Sequence, residues 1–107
     1  MHKLSALLTV VAAVAITVSS STVRAMDGAA LYVERTCIAC HGVQGKVPVM
    51  SDYPKIAGQD ETYLLTQMKD IKSGTRANAN SVAMKNVMHL ISEEEMATVA
   101  KWLAGLK

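Results

Sequence analysis

Apolar positions along this chain follow two patterns. Residues 4–18 are apolar or small almost without interruption, whereas from residue 26 onward apolar side chains recur at helical spacing between polar ones. The second pattern predicts three helical stretches. Asp27 can cap the first, which runs towards Cys37 with Ala30, Leu31 and Val33 near its inner face. Gly28 and Tyr32 share a face there; a lone glycine early in a helix usually marks a boundary, and it can also permit close approach of another helix. Gly42, Gly45, Pro48 and Pro54 then interrupt the chain and predict an extended loop. Asp60 offers the next cap, for a helix over 61–73 closed by Gly74, with Leu64, Met68 and Ile71 at i, i+4 and i+7 facing the core. A polar loop over 74–81 leads into 82–91, read as an irregular segment before the final helix. That helix begins at a capping box of Ser92 and Glu95, with Ile91 stapled against Met96 and Val99, Trp102, Leu103 and Leu106 along its apolar face. No run alternates with period two, so the expected fold is all-α.

Composition changes the picture at the N-terminus. The 50% hydrophobic content and mean hydropathy of +0.22 owe much to the segment 1–25. A basic start (Met1-His2-Lys3), an apolar middle and a polar end closing on Val23-Arg24-Ala25 predict a signal peptide over 1–25, cleaved after Ala25. Its strongly apolar run falls short of the roughly 20 residues that a spanning helix prefers, so no stable membrane insertion is expected after cleavage. The predicted mature domain, 26–107, loses Lys3 and Arg24 and no acid, leaving nine basic and nine acidic groups and a formal net charge of 0. That balance argues against nucleic acid or an anionic membrane surface as partner. Export would place the protein outside the cytoplasm.

The same domain contains no Phe, only three Tyr and one Trp, and a chain this short buries a modest core. The stretch Cys37-Ile38-Ala39-Cys40-His41 supplies a reason. Two cysteines three apart followed by histidine is the spacing for covalent attachment of a c-type haem. On one helical turn both thiols share a face and can each add to a vinyl group of one porphyrin, and His41 can bind its iron. A zinc site needs four ligands, and the chain has two cysteines and three histidines, one of them (His2) in the segment to be removed. A thioredoxin-type pair expects a βαβ pattern, and a disulfide across three residues would stabilise little. A covalent porphyrin would also furnish the missing apolar bulk.

An iron held by His41 has a second axial position. Met26, Met50, Met68, Met84, Met88 and Met96 are the thioether donors of the mature chain, and His89 is a nitrogen rival. Met68 and Met96 read as core filler, Met26 sits at the mature terminus and Met50 lies close to the attachment motif. Met84 and Met88 remain, one helical turn apart. Met84 lies nearer the Gly/Asn-rich loop and has more room to cross the ring, whereas Met88 must stay near Ile91.

An ordered set of residues resembles the class I c-type cytochromes, in particular the small bacterial periplasmic monohaem proteins and single domains of their dihaem relatives. It comprises Gly28-Ala-Ala-Leu-Tyr32, Cys37-Ile-Ala-Cys-His-Gly42, Tyr53-Pro-Lys-Ile-Ala-Gly-Gln59, Tyr63-Leu-Leu, Gln67-Met-Lys-Asp-Ile-Lys-Ser-Gly74, Arg76, Met84 and Val99-Ala-Lys-Trp102-Leu, and covers nearly all of 26–107. The resemblance implies short helices and loops around one haem c, with the N- and C-terminal helices crossing and Gly28 and Tyr32 packed on Val99 and Trp102. It also implies Met84 as distal ligand, by its interval before the last helix, with Met88 second and His89 third. Pro54 would accept a hydrogen bond from the proximal histidine, and Tyr53, Gln59 and Arg76 would serve the propionates.

With both axial sites filled and no catalytic pair or nucleophile in view, the expected function is one-electron transfer between periplasmic donor and acceptor proteins. The expected state is a monomer or weak oligomer and the expected activity is not enzymatic. Lys46, Lys55, Lys72 and Lys85 are local charges that could select a partner. Two other readings are a subunit held permanently to a dehydrogenase or oxidase, and a haem-based ligand sensor.

Overall fold

A computed structural model describes residues 2, 3, 5–17 and 26–107. Within them the chain forms five α-helices and no strand: α1 (Gly28–Glu34), α2 (Cys37–His41), α3 (Glu61–Ser73), α4 (Ser81–Met88) and α5 (Glu93–Ala104), with a 3-10 turn at Val43–Gly45. The described part of the N-terminal segment has no regular structure and its side chains are exposed; the expected cleavage site lies outside the described residues. Among the described residues no helix is long and apolar enough to cross a membrane.

Where caps and periodic faces coincide, the helices start as expected. Asp27 accepts from the Ala30 amide, Asp60 from Tyr63, and Ser92 and Glu95 close a reciprocal capping box. Leu64, Met68 and Ile71 are buried on α3, and Met96, Val99, Ala100 and Leu103 on α5. A fully buried Leu or Val contributes about 1.5–3 kcal/mol by leaving water, so these two faces carry much of the core. Ile91 and Met96 are both buried across the start of α5, as a hydrophobic staple requires.

One expectation is refined and two are corrected. The first helix runs towards Cys37 but ends at Glu34 with Arg35 as its C-cap, and Thr36 turns the chain at φ 68° before α2 begins. Ala30 and Val33 are exposed, Val33 by 55%, because α1 buries the face of Gly28, Leu31 and Tyr32; a residue two beyond Leu31 points away from that face. The segment before the last helix is also helical over Ser81–Met88, with Met88 inside the core.

α1 packs against α5. A Cβ at Gly28 would collide with Trp102 Cβ, so the absence of a side chain sets how closely these helices approach. One turn on, the rings of Tyr32 and Trp102 meet with centroids 5.3 Å apart and planes at 49°, a tilted aromatic contact. Arg35 then reaches Glu95 at 2.7 Å. α3 packs on α5 and α4 on α3, so the helices surround a cavity into which α2 projects.

Candidate functional site

α2 is five residues long and has no side-chain cap, so its position depends on its neighbours. Behind it, Gly42 adopts φ 77°, where a Cβ would run into the Val47 carbonyl. The Gly42 carbonyl accepts the Tyr32 hydroxyl, tying the end of α2 to α1. Burial of that hydroxyl pushes Tyr32 up to about 12, so it remains a donor at any physiological pH. Val49 donates its amide to the Cys40 carbonyl at 3.0 Å. The Gly45 carbonyl takes the amides of Ile56 and Ala57, both at 3.0 Å, and Gly58 donates to Leu103 on α5. The extended loop is thereby closed on itself and fastened to the terminal helix.

That closure sets Pro54 beside His41. The His41 Nδ1 lies 3.0 Å from the Pro54 carbonyl oxygen. A carbonyl only accepts, so Nδ1 carries the proton and Nε2 keeps its lone pair for a metal. His41 is 8% exposed. Burial lowers its pKa below the usual histidine value, and the bond to Pro54 offsets part of that shift; the ring stands neutral at pH 7. Cys37 is half-buried and Cys40 exposed, both as free thiols. Burial pushes the Cys37 thiol up to about 11.

Cys37, Cys40, His41 and Pro54 all line a cavity of about 250 Å³, whose wall is predominantly apolar. Met84 and Met88 line the same cavity from α4, Met84 half-buried and Met88 4% exposed. Met68 lines it as well as belonging to the core, a double role that helical spacing alone could not reveal. His89 is exposed and Met96 is enclosed in the core, neither against the cavity. Tyr53, Gln59 and Arg76 form part of the polar lining, and Arg76 donates to Gln67 Oε1 at 3.0 Å. Of the four lysines offered as local charges, Lys72 is half-buried and donates to the Ile91 carbonyl at 2.7 Å; its amine is occupied within the fold.

The residue set fits a haem. Two thiols on one helical turn, an imidazole with a free Nε2, and a facing helix with two thioethers meet at one apolar cavity. Zinc does not fit: among the described residues no three His, Cys, Asp or Glu converge to hold a metal ion. Sequence reading missed Asp52 and Asn80, which also line the cavity and bond to each other. They lie far apart along the chain, with no motif to pair them.

Comparison with known proteins agrees with this geometry. The sequence model of the cytochrome c family matches residues 25–107. Cytochrome c4 of Pseudomonas aeruginosa is 41% identical over 71 residues, which cover 66% of this chain and 33% of that protein. The match thus spans about a third of the length of that relative. Cytochrome c-554(548) of Halomonas halodenitrificans is 36% identical over 72 residues, covering 65% of this chain and 83% of the relative. Cytochrome c-553 of Nitratidesulfovibrio vulgaris is 30% identical over 106 residues, covering 99% of this chain and 100% of the relative. An all-helical chain with the Cys37–Cys40–His41 motif set on such a cavity belongs to the cytochrome c family, in its class I branch, whose members carry electrons on covalently attached haem.

Proposed function

We propose that this protein is a periplasmic one-electron carrier with a single haem c, bound through Cys37 and Cys40 and ligated by His41 and Met84. The observation that carries the reading is the convergence of these four residues on one apolar cavity, with His41 Nδ1 already engaged by Pro54. Bound haem supplies a reversible one-electron iron couple, and thioether ligation raises its potential relative to two histidines. The chain contributes the rest. Pro54 fixes the ring orientation and basicity of His41. Leu64, Met68, Ile71 and Val99 exclude water from the cavity wall. Arg76, with Tyr53 and Gln59, offers polar contacts to the propionates. A filled sixth position disfavours enzymatic turnover and the ligand-sensor reading.

Residues 1–25 serve as a signal peptide in this reading, on the strength of their basic start, apolar middle and small-residue end. A redox titration followed by absorbance tests the function. The expected result is one reversible one-electron transition, with a weak sulfur-to-iron band at the red end of the oxidised spectrum. Two transitions, or no such band, would contradict a single His/Met haem.

One observation favours a permanently bound subunit as second reading. Val43, Val47, Val49 and Met50 are exposed along one short loop, and lasting interfaces are more apolar than those of diffusing carriers. Purification from the native periplasm separates the two: a free carrier elutes alone, a subunit with its enzyme.

A further inference from the structure

We propose that Asp52 and Asn80 form a tie across the rim of the cavity that holds α4 closed, and so position Met84 without being part of the binding set. The inference rests on the His41/Met84 reading above. Asn80 Nδ2 donates to Asp52 Oδ2 at 2.8 Å. Both residues line the cavity and both are exposed, which places their bond at its rim.

α4 has no side-chain cap at the same residue. Asn80 occupies the N-cap position, and asparagine is among the best capping residues. Its side chain nevertheless makes no capping bond, whereas Asp27, Asp60 and Ser92 all cap their helices. Asn80 stands at ψ 6°, whereas those three caps are extended, and its Nδ2 donates to Asp52. α4 has eight residues, too few to persist by local bonding alone. Ser81 at its start and Met88 at its end are buried, while Val82 and Ala83 between them are exposed. The preceding residue, Ala79, is held at φ 47°, a strained value for a residue with a Cβ. Ser81 anchors this end locally, through burial and its bonds to Asn78, and the bond to Asp52 adds a hold that reaches across the cavity rim.

The other end of the tie reaches the proximal side. Asp52 lies just before Tyr53 and Pro54, and the Pro54 carbonyl receives His41 Nδ1. A short covalent and hydrogen-bonded path therefore joins the ring of His41 to the helix of Met84. Swinging α4 away to expose the sixth coordination position must break the Asp52–Asn80 bond. Removing the bond raises the population of the open form by the corresponding factor.

Imidazole binding to the oxidised holoprotein, followed by loss of the sulfur-to-iron band, tests the tie. Asn80→Ala should raise the apparent imidazole affinity roughly three- to tenfold, as loss of one hydrogen bond implies. Asn80→Ser can cap α4 but cannot span to Asp52, and it should bind imidazole as Asn80→Ala does. Asn80→Asp sets two carboxylates together and should open the site further. Adding Asp52→Asn to that variant restores a donor and an acceptor and should return the affinity to that of the parent. Unchanged affinity in Asn80→Ala overturns the tie, as does a parental value in Asn80→Ser, which would make capping the cause. Failure of the exchanged pair to recover also overturns it. A parent holoprotein without the sulfur-to-iron band would overturn the His/Met reading itself, a different result from a parent with the band whose variants do not respond.

Discussion

Met84 and Met88 are chemically alike, one turn apart and both against the cavity, so environment must divide their roles. Met88 is 4% exposed and belongs to the core cluster, while Met84 is half-buried and packs at its edge. Truncating the first should therefore act on stability and truncating the second on coordination. Met88→Ala is expected to lower unfolding free energy by about 2–5 kcal/mol, the range for emptying a buried methionine site, and to leave the sulfur-to-iron band in place. Met84→Ala should abolish the band and let external ligands bind. Absorbance spectra with denaturant titrations of both proteins check this, and the reverse assignment would move the ligand to Met88. Motif spacing by itself singles out Cys37, Cys40 and His41. It could not gather them with α4 on one cavity, because that depends on packing between segments distant in sequence.

Helices differ in how far their own sequence defines them. α3 and α5 carry side-chain caps, thirteen and twelve residues and continuous apolar faces, and their limits follow from local chemistry. α2 and α4 have five and eight residues and no side-chain cap, so tertiary contacts decide them. That is why the Met84 helix was the element least legible in the sequence, whereas the motif spacing itself set Cys37 and Cys40 on one helical turn. The α1–α5 contact is the opposite case, resting on an absent Cβ. Gly28→Ala should push Trp102 aside and destabilise the fold by about 1–3 kcal/mol, as overpacking does, although alanine favours the helix itself. A thermal melt no lower than that of the parent would show that the helices separate freely. Next to this contact, Arg35 and the bond to Ser92 hold the Glu95 carboxyl below its ordinary value of 4.5. A depressed folded pKa stabilises fully above the ordinary value and is lost as pH falls through the lower folded one. Glu95→Gln keeps the capping geometry and removes the charge. Its deficit in denaturant midpoint relative to the parent should be largest near neutrality and shrink as the pH drops below 4.5. A deficit independent of pH would assign the effect to packing.

At the scale of the whole molecule, a predicted mature domain without Phe wraps short helices around an apolar cavity. Core residues of α3 and α5, among them Leu64, Met68, Ile71 and Val99, also form the cavity wall, which the motif and α4 complete. A chain this short buries a modest core, and the proposed haem would add apolar bulk to this interior. Fold class and terminal-helix pairing could be anticipated from capping, periodicity and family resemblance; the rim contact of Asp52 with Asn80 could not, because neither residue carries a recognisable spacing. The most direct test of the central claim is the intact mass of the protein secreted by cells competent in c-type haem maturation, measured after denaturation in acid. The expected mass is that of the chain 26–107 plus one haem that stays attached, with loss of that added mass when Cys37 and Cys40 are both changed to Ala. A haem-free mass for the parent under those conditions would contradict covalent attachment.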